Sequence, residues 1–116
     1  MSAIDEFTGA IESFARRGWW MAKCEHKNNR ELLFYISFHV HPDDAKVTVD
    51  KVTKAIEVIG AKDRWLFREV APGRFFLNPI GLSGIDDLQF NESDLAIAKQ
   101  ANEELFRIAE VVRASV

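Results

Sequence analysis

Residues 31–41 read ELLFYISFHVH, and the fold turns on their period. Leu32, Phe34, Ile36, Phe38 and Val40 fill the even positions, while Glu31, Leu33, Tyr35, Ser37, His39 and His41 fill the odd ones. Side chains of an extended chain alternate between faces, so this spacing predicts a strand with one apolar face and one mixed face. Residues 27–30 (KNNR) supply a turn back to a strand over 19–26. Setting His26 opposite Glu31 puts Met21 beside Ile36 and Trp19 beside Phe38. The same register groups Trp20, Ala22 and Cys24 with Ser37, Tyr35 and Leu33 on the mixed face.

Helical periods flank this hairpin. Ile4, Phe7, Ile11 and Phe14 predict a first helix, capped by Ser2, with Arg16 and Arg17 in its last turn and Gly18 at its end. Pro42, Asp43 and Asp44 read as the start of a second, whose stripe is Ala45, Val49, Val52, Ile56 and Ile59 and whose stop is Gly60. The β-branched run Val47, Thr48 and Val49 keeps a short strand over 46–49 open as the alternative. Residues 64–70 and 74–78 then flank Ala71, Pro72 and Gly73 as a second hairpin, and Pro79, which has no N–H, should end its strand or lie at an edge. Residues 80–90 mix Gly81 and Gly84 with Ile80, Leu82, Ile85, Leu88 and Phe90, which predicts a loop laid across the core. Asn91 caps a last helix over 92–114, where Leu95, Ala98, Ala101, Leu105, Ile108 and Val112 form a seam by steps of three and four. The expected architecture is α+β, in the order α-β-β-α-β-β-α, a two-layer domain with an antiparallel sheet of two hairpins and three helices.

A chain of 116 residues with 47% apolar and 28% charged residues suits one globular domain spanning 1–116. The net charge of −3 gives no general attraction for phosphate backbones or anionic lipid, so nucleic acid is disfavoured and no membrane role is expected. The imbalance is local: residues 1–80 carry 12 basic and 11 acidic side chains, residues 81–116 carry 3 and 7. Cys24 is the single cysteine, which suits a reducing compartment. Asp5 and Glu6 stand where an export signal would be basic, and the longest apolar run is far short of the ~20 residues that span a bilayer, so a cytoplasmic location is expected.

Several residue groups could carry chemistry. His39 and His41 share a strand face with Asp43 and Asp44 beyond, so a metal site is conceivable there. His26, eight residues along the strand from His39 and ~26 Å away, cannot complete it, and histidines at a solvated strand end account for the pattern. Cys24 and His26 share a face two residues apart, yet a lone cysteine behaves most often as a small buried hydrophobe. No serine elbow and no phosphate loop are present, so no motif specifies an enzyme or a cofactor. Lys62, Arg64, Arg68 and Arg74 interleave with Trp65, Phe67, Phe75 and Phe76, a pattern that could stack bases of RNA or single-stranded DNA, although Asp63 and Glu69 dilute the charge and a solvated hairpin face gives the pattern too.

Trp20, Leu33 and Tyr35 are the more informative cluster, because large apolar groups on the reverse of a two-layer sheet need a cover. The seam Leu105, Ile108 and Val112 raises the same question. Together they point to a non-catalytic protein-binding module, an adaptor, chaperone or inhibitor, working as a homodimer and taking its partner on the open sheet face and last helix.

The element order, the modest acidity and the ending FRIAEVVR (residues 106–113) loosely resemble the small type III secretion chaperones. That likeness, one of layout across most of the chain, implies a homodimer whose α+β sheet holds an extended effector segment. The chain departs from that layout in lacking a third strand in its first sheet segment, which puts the dimer surface and the cargo groove of those proteins in question here.

Overall fold

The computed structural model describes residues 3–15, 20–25, 33–80 and 92–115. Within them the chain runs α1 (Ala3–Glu12), β1 (Trp20–Glu25), β2 (Leu33–His39), a 3-10 turn (Pro42–Asp44), α2 (Ala45–Val58), β3 (Trp65–Ala71), β4 (Arg74–Pro79) and α3 (Glu92–Ala114). The strands form one antiparallel sheet in the order β1-β2-β4-β3, so the α+β class expected from the periods is the observed one.

The alternation of β2 fixes the layers. Ile36, Phe38 and Val40 are buried, and across the ladder they meet Phe75 and Leu77 of β4 and Trp65 of β3 in one core. Three rings run across the strands: Phe38 on Phe75 at 5.3 Å and Phe75 on Phe67 at 5.3 Å, both stacked. Phe7 of α1 closes the row edge-on against Phe38 at 5.6 Å, a geometry that sets a ring's positive rim on its neighbour's negative face. Helix α3 lies over β2 and β4 and between α1 and α2. Its 23 residues reach ~34 Å, against a 40 Å long axis of the molecule, and it meets the two central strands of the sheet.

Three sequence expectations need correction. The first hairpin pairs Trp20 with His39, Met21 with Phe38, Ala22 with Ser37 and Lys23 with Ile36, a slip of two positions from the expected register. A two-residue slip leaves every side chain on its face, so alternation alone could not detect it; a bulge between Cys24 and Glu25 shifts the ladder again. Helix α1 ends at Glu12 rather than at Gly18: Ser13 donates through Oγ to the Ala10 carbonyl, and Phe14 and Ala15 donate N–H to that of Ile11. Residues 46–49 are helical, as the Pro-Asp-Asp start predicts and not the alternative strand, and the buried face there belongs to Thr48 more than to Val49. The Thr48 hydroxyl donates to the Asp44 carbonyl at 2.8 Å, which lets a polar β-branched residue sit in the core. Finally, β2 stops at His39, before Val40 and His41, although the Val40 N–H still donates to the Gly73 carbonyl at 2.8 Å in the register of the ladder with β4. Ser2, residues 16–19, the KNNR turn and residues 81–91 lie outside the described residues.

The second hairpin turns where Pro-Gly predicts. Ala71 pairs with Arg74, and Gly73 has φ 76°, as the third residue of a type II turn requires. Glu69 accepts the Gly73 N–H at 3.0 Å and steadies the turn. Pro79 ends β4 opposite Trp65, and the next N–H, that of Ile80, donates to Arg64.

Candidate partner-binding face

The register sorts the sheet's second face row by row. Leu66 pairs with Asn78; Arg68 pairs with Phe76, which pairs with Ser37; Ala71 pairs with Arg74, which pairs with His39. All of these alternate with residues of the buried core, and no described helix packs on them. Leu66 is 40% exposed, and Val70, in the bulge between Glu69 and Ala71, is 44% exposed. Arg68 and Arg74 are exposed too, while Phe76 is half-buried with the Arg68 guanidinium over its ring at 5.9 Å. A cation on the ring face is attracted by its quadrupole, so Arg68 both caps Phe76 and carries the charge of this surface. The result is a basic and aliphatic patch on a chain of net charge −3, with no carboxylate at the positions of this face paired between β2 and β4 or between β4 and β3.

The predicted partner residues divide. The backbones of Trp20, Leu33 and Tyr35 fall in β1 and β2, and their side chains lie outside the described residues. Leu105, Ile108 and Val112 are fully buried in the chain's own core with Ala101 and Ala109, so the seam of α3 is spent inside the molecule and offers a partner nothing. The period was right about a seam needing cover; α1, α2 and the sheet supply it.

The nucleic-acid group comes apart for a similar reason. Trp65 is in the core, and its Nε1 is buried with no acceptor among the described residues. Arg64 turns to α3, where Nη2 and Nε donate to the Glu104 carboxylate at 2.6 and 3.0 Å, and Nη2 also donates to the Gly60 carbonyl at 3.1 Å. The hydrogen bond with Glu104, helped by its charge, raises the Arg64 pKa above its usual value. Only Arg68 and Arg74 remain on one surface.

Glu104 is 5% exposed, so its charge depends on that one fork. Arg64→Ala should therefore lower the melting temperature more than Glu104→Gln, since the first strands a buried carboxylate and the second leaves a guanidinium that can reach water. Adding Glu104→Gln to Arg64→Ala should restore part of the loss, and equal effects in a circular-dichroism melt would refute the buried pair.

One histidine has structural work. His41 Nδ1 accepts the Asp43 N–H at 3.1 Å and lies 3.6 Å from the Asp43 carboxylate, which makes it the cap of the 3-10 turn. His39 stands in β2 opposite Trp20 and Arg74. Among the described residues no three histidine, cysteine, aspartate or glutamate side chains gather as metal ligands would. The side chain of Cys24 and the whole of His26 lie outside the described residues.

Sequence reasoning missed one feature. Between α2 and β3 a cleft of about 150 Å³ is lined by Thr53, Ile56, Glu57, Lys62, Trp65 and Phe67. Its signal was present in Trp65 and Phe67 alternating along a strand at the sheet's edge, but strand order cannot be read from alternation.

Comparison with protein-family models, curated proteins and solved structures finds no match to this chain. No described helix is long and apolar enough to cross a membrane.

Proposed function

We propose that the chain is a non-catalytic protein-binding module, an adaptor, chaperone or inhibitor of the cytoplasm, that takes its partner on the open face of the sheet and self-associates as a homodimer. The observation that carries this reading is the one-sided packing. Core residues of all three helices pack with one face of the sheet, and the other leaves Leu66 and Val70 largely exposed around Arg68. Apolar groups clustered with arginine are the composition of protein interfaces. The α3 seam no longer adds to the case, so the sheet carries it alone.

The test is affinity capture from the native cell with the unaltered chain and with a Leu66→Asp, Arg68→Glu variant, both changes falling on exposed side chains. The variant should lose the proteins the unaltered chain holds, while melting at the same temperature. Light scattering should give a dimer at micromolar concentration for the unaltered chain. Capture that survives the two substitutions would remove the sheet face from the account, and a strict monomer would remove the homodimer.

A further inference from the structure

Strand β3 is an edge of the sheet, since it pairs with β4 and with no other described strand. An edge presents a row of backbone donors and acceptors that another extended chain can match. Proteins blunt such edges with bulges, and β3 has one between Glu69 and Ala71, near its turn. The stretch from Trp65 to Arg68 keeps a regular ladder with β4.

Both flanks of that regular stretch are shaped. On the helix side lies the cleft of about 150 Å³ between α2 and β3, with Ile56, Trp65 and Phe67 in its wall. Pockets for drug-sized ligands run to about 300–1,000 Å³, so this one is small for a cofactor and suits a single side chain. On the other side lie Leu66 and Arg68, with Arg74 on the same face. A strand added to β3 would alternate its side chains between these two flanks.

We infer that β3 is a docking edge for an extended segment of a partner protein: it adds a strand along residues 65–68, seats an aliphatic side chain in the cleft between α2 and β3, and sets acidic side chains beside Arg68 and Arg74. This rests on the protein-binding reading and names its chemistry. The acidity of the partner follows from charge: on the open face, the positions paired between β3 and β4 hold two arginines and no carboxylate. A nucleic acid fits less well. Single-strand binders stack bases on exposed rings along a basic groove, whereas no aromatic side chain described is exposed, Phe76 is capped by Arg68, and Arg64 is held by Glu104.

The test uses the full chain and labelled probes read by fluorescence anisotropy: a short peptide alternating Leu and Glu, its Leu and Lys counterpart, and an oligothymidylate. The Leu and Glu peptide should bind, and the Lys version should bind at least about tenfold more weakly, a difference of ~1.4 kcal/mol. N-methylation of alternate peptide amides should abolish binding in one phase and be tolerated in the other, because only one set of amides faces β3. Thr53→Trp, filling the cleft from an exposed position, should weaken binding by about tenfold with thermal unfolding unchanged. Arg68→Glu with Arg74→Glu should reverse the preference between the two peptides. Equal binding of both peptides, indifference to the phase of methylation or to Thr53→Trp, tighter binding of oligothymidylate, or no binding of any probe would each overturn the inference. Should Leu66→Asp, Arg68→Glu abolish capture from cells while Thr53→Trp does not, the protein-binding reading stands and the docking edge falls.

Discussion

Phe38→Ala is expected to destabilise the protein by about 3–5 kcal/mol, the usual loss when a fully buried phenylalanine is truncated. Phe38 is buried completely and is the ring on which the layers meet, touching Phe75 in the neighbouring strand and Phe7 in α1. Removing it opens a cavity at the junction of sheet and helices, and partners from separate elements cannot all move in to fill it. Urea unfolding should show a lower midpoint with an unchanged slope. The companion variant Phe76→Ala should lose much less, because Phe76 is half-buried on the other face, under an arginine. Phe75 and Phe76 are adjacent in the chain, so comparable losses for Phe38→Ala and Phe76→Ala would mean that the two faces of the sheet had been assigned wrongly.

Gly73→Ala is the second large effect. At φ 76° an alanine is held in the left-handed region, which costs a residue with a side chain about 1–3 kcal/mol. Its Cβ would also fall inside the contact distance of the Val40 carbonyl oxygen and against the Pro42 nitrogen at 3.3 Å. Those atoms are backbone, and the Val40 N–H is bonded to the Gly73 carbonyl at 2.8 Å, so the crossing cannot widen without losing that bond. The loss should therefore exceed the backbone contribution alone. It should also loosen the joint between β2 and the second hairpin, seen as faster amide exchange at Val40. A variant as stable as the parent would show that the turn relaxes freely away from Val40.

How much of this was legible depended on which physical constraint each residue obeyed. Alternation told which side of β2 is core, because Ile36, Phe38 and Val40 have only one place to go. The Pro-Gly turn and the long last helix were equally plain, since a positive φ and a sustained period leave local marks. Register left none: a slip of two residues preserves every face, and the first hairpin took it. The α3 seam was read correctly as a surface needing cover, but a period does not say whether the cover is the same chain or another. Arg64 and Trp65 misled because a pattern of residue types does not say what each side chain will meet, and Arg64 precedes β3 rather than lying in it. One reaches α3 and Glu104 while the other enters the core, and only Arg68 and Arg74 stay together on the outer face. The cleft beside β3 depended on strand order, a long-range property that no local pattern encodes.

Hydroxyl-radical footprinting of the free chain, read residue by residue, tests the two-faced sheet most directly. Leu66, Val70 and Phe76 should be oxidised far faster than Phe38, Phe75, Leu77 and Leu105, whose side chains are sealed beneath the helices. Protection of Leu66, Val70 and Phe76 to the level of Phe38 would mean that this surface is already covered, and no partner could then be received on it.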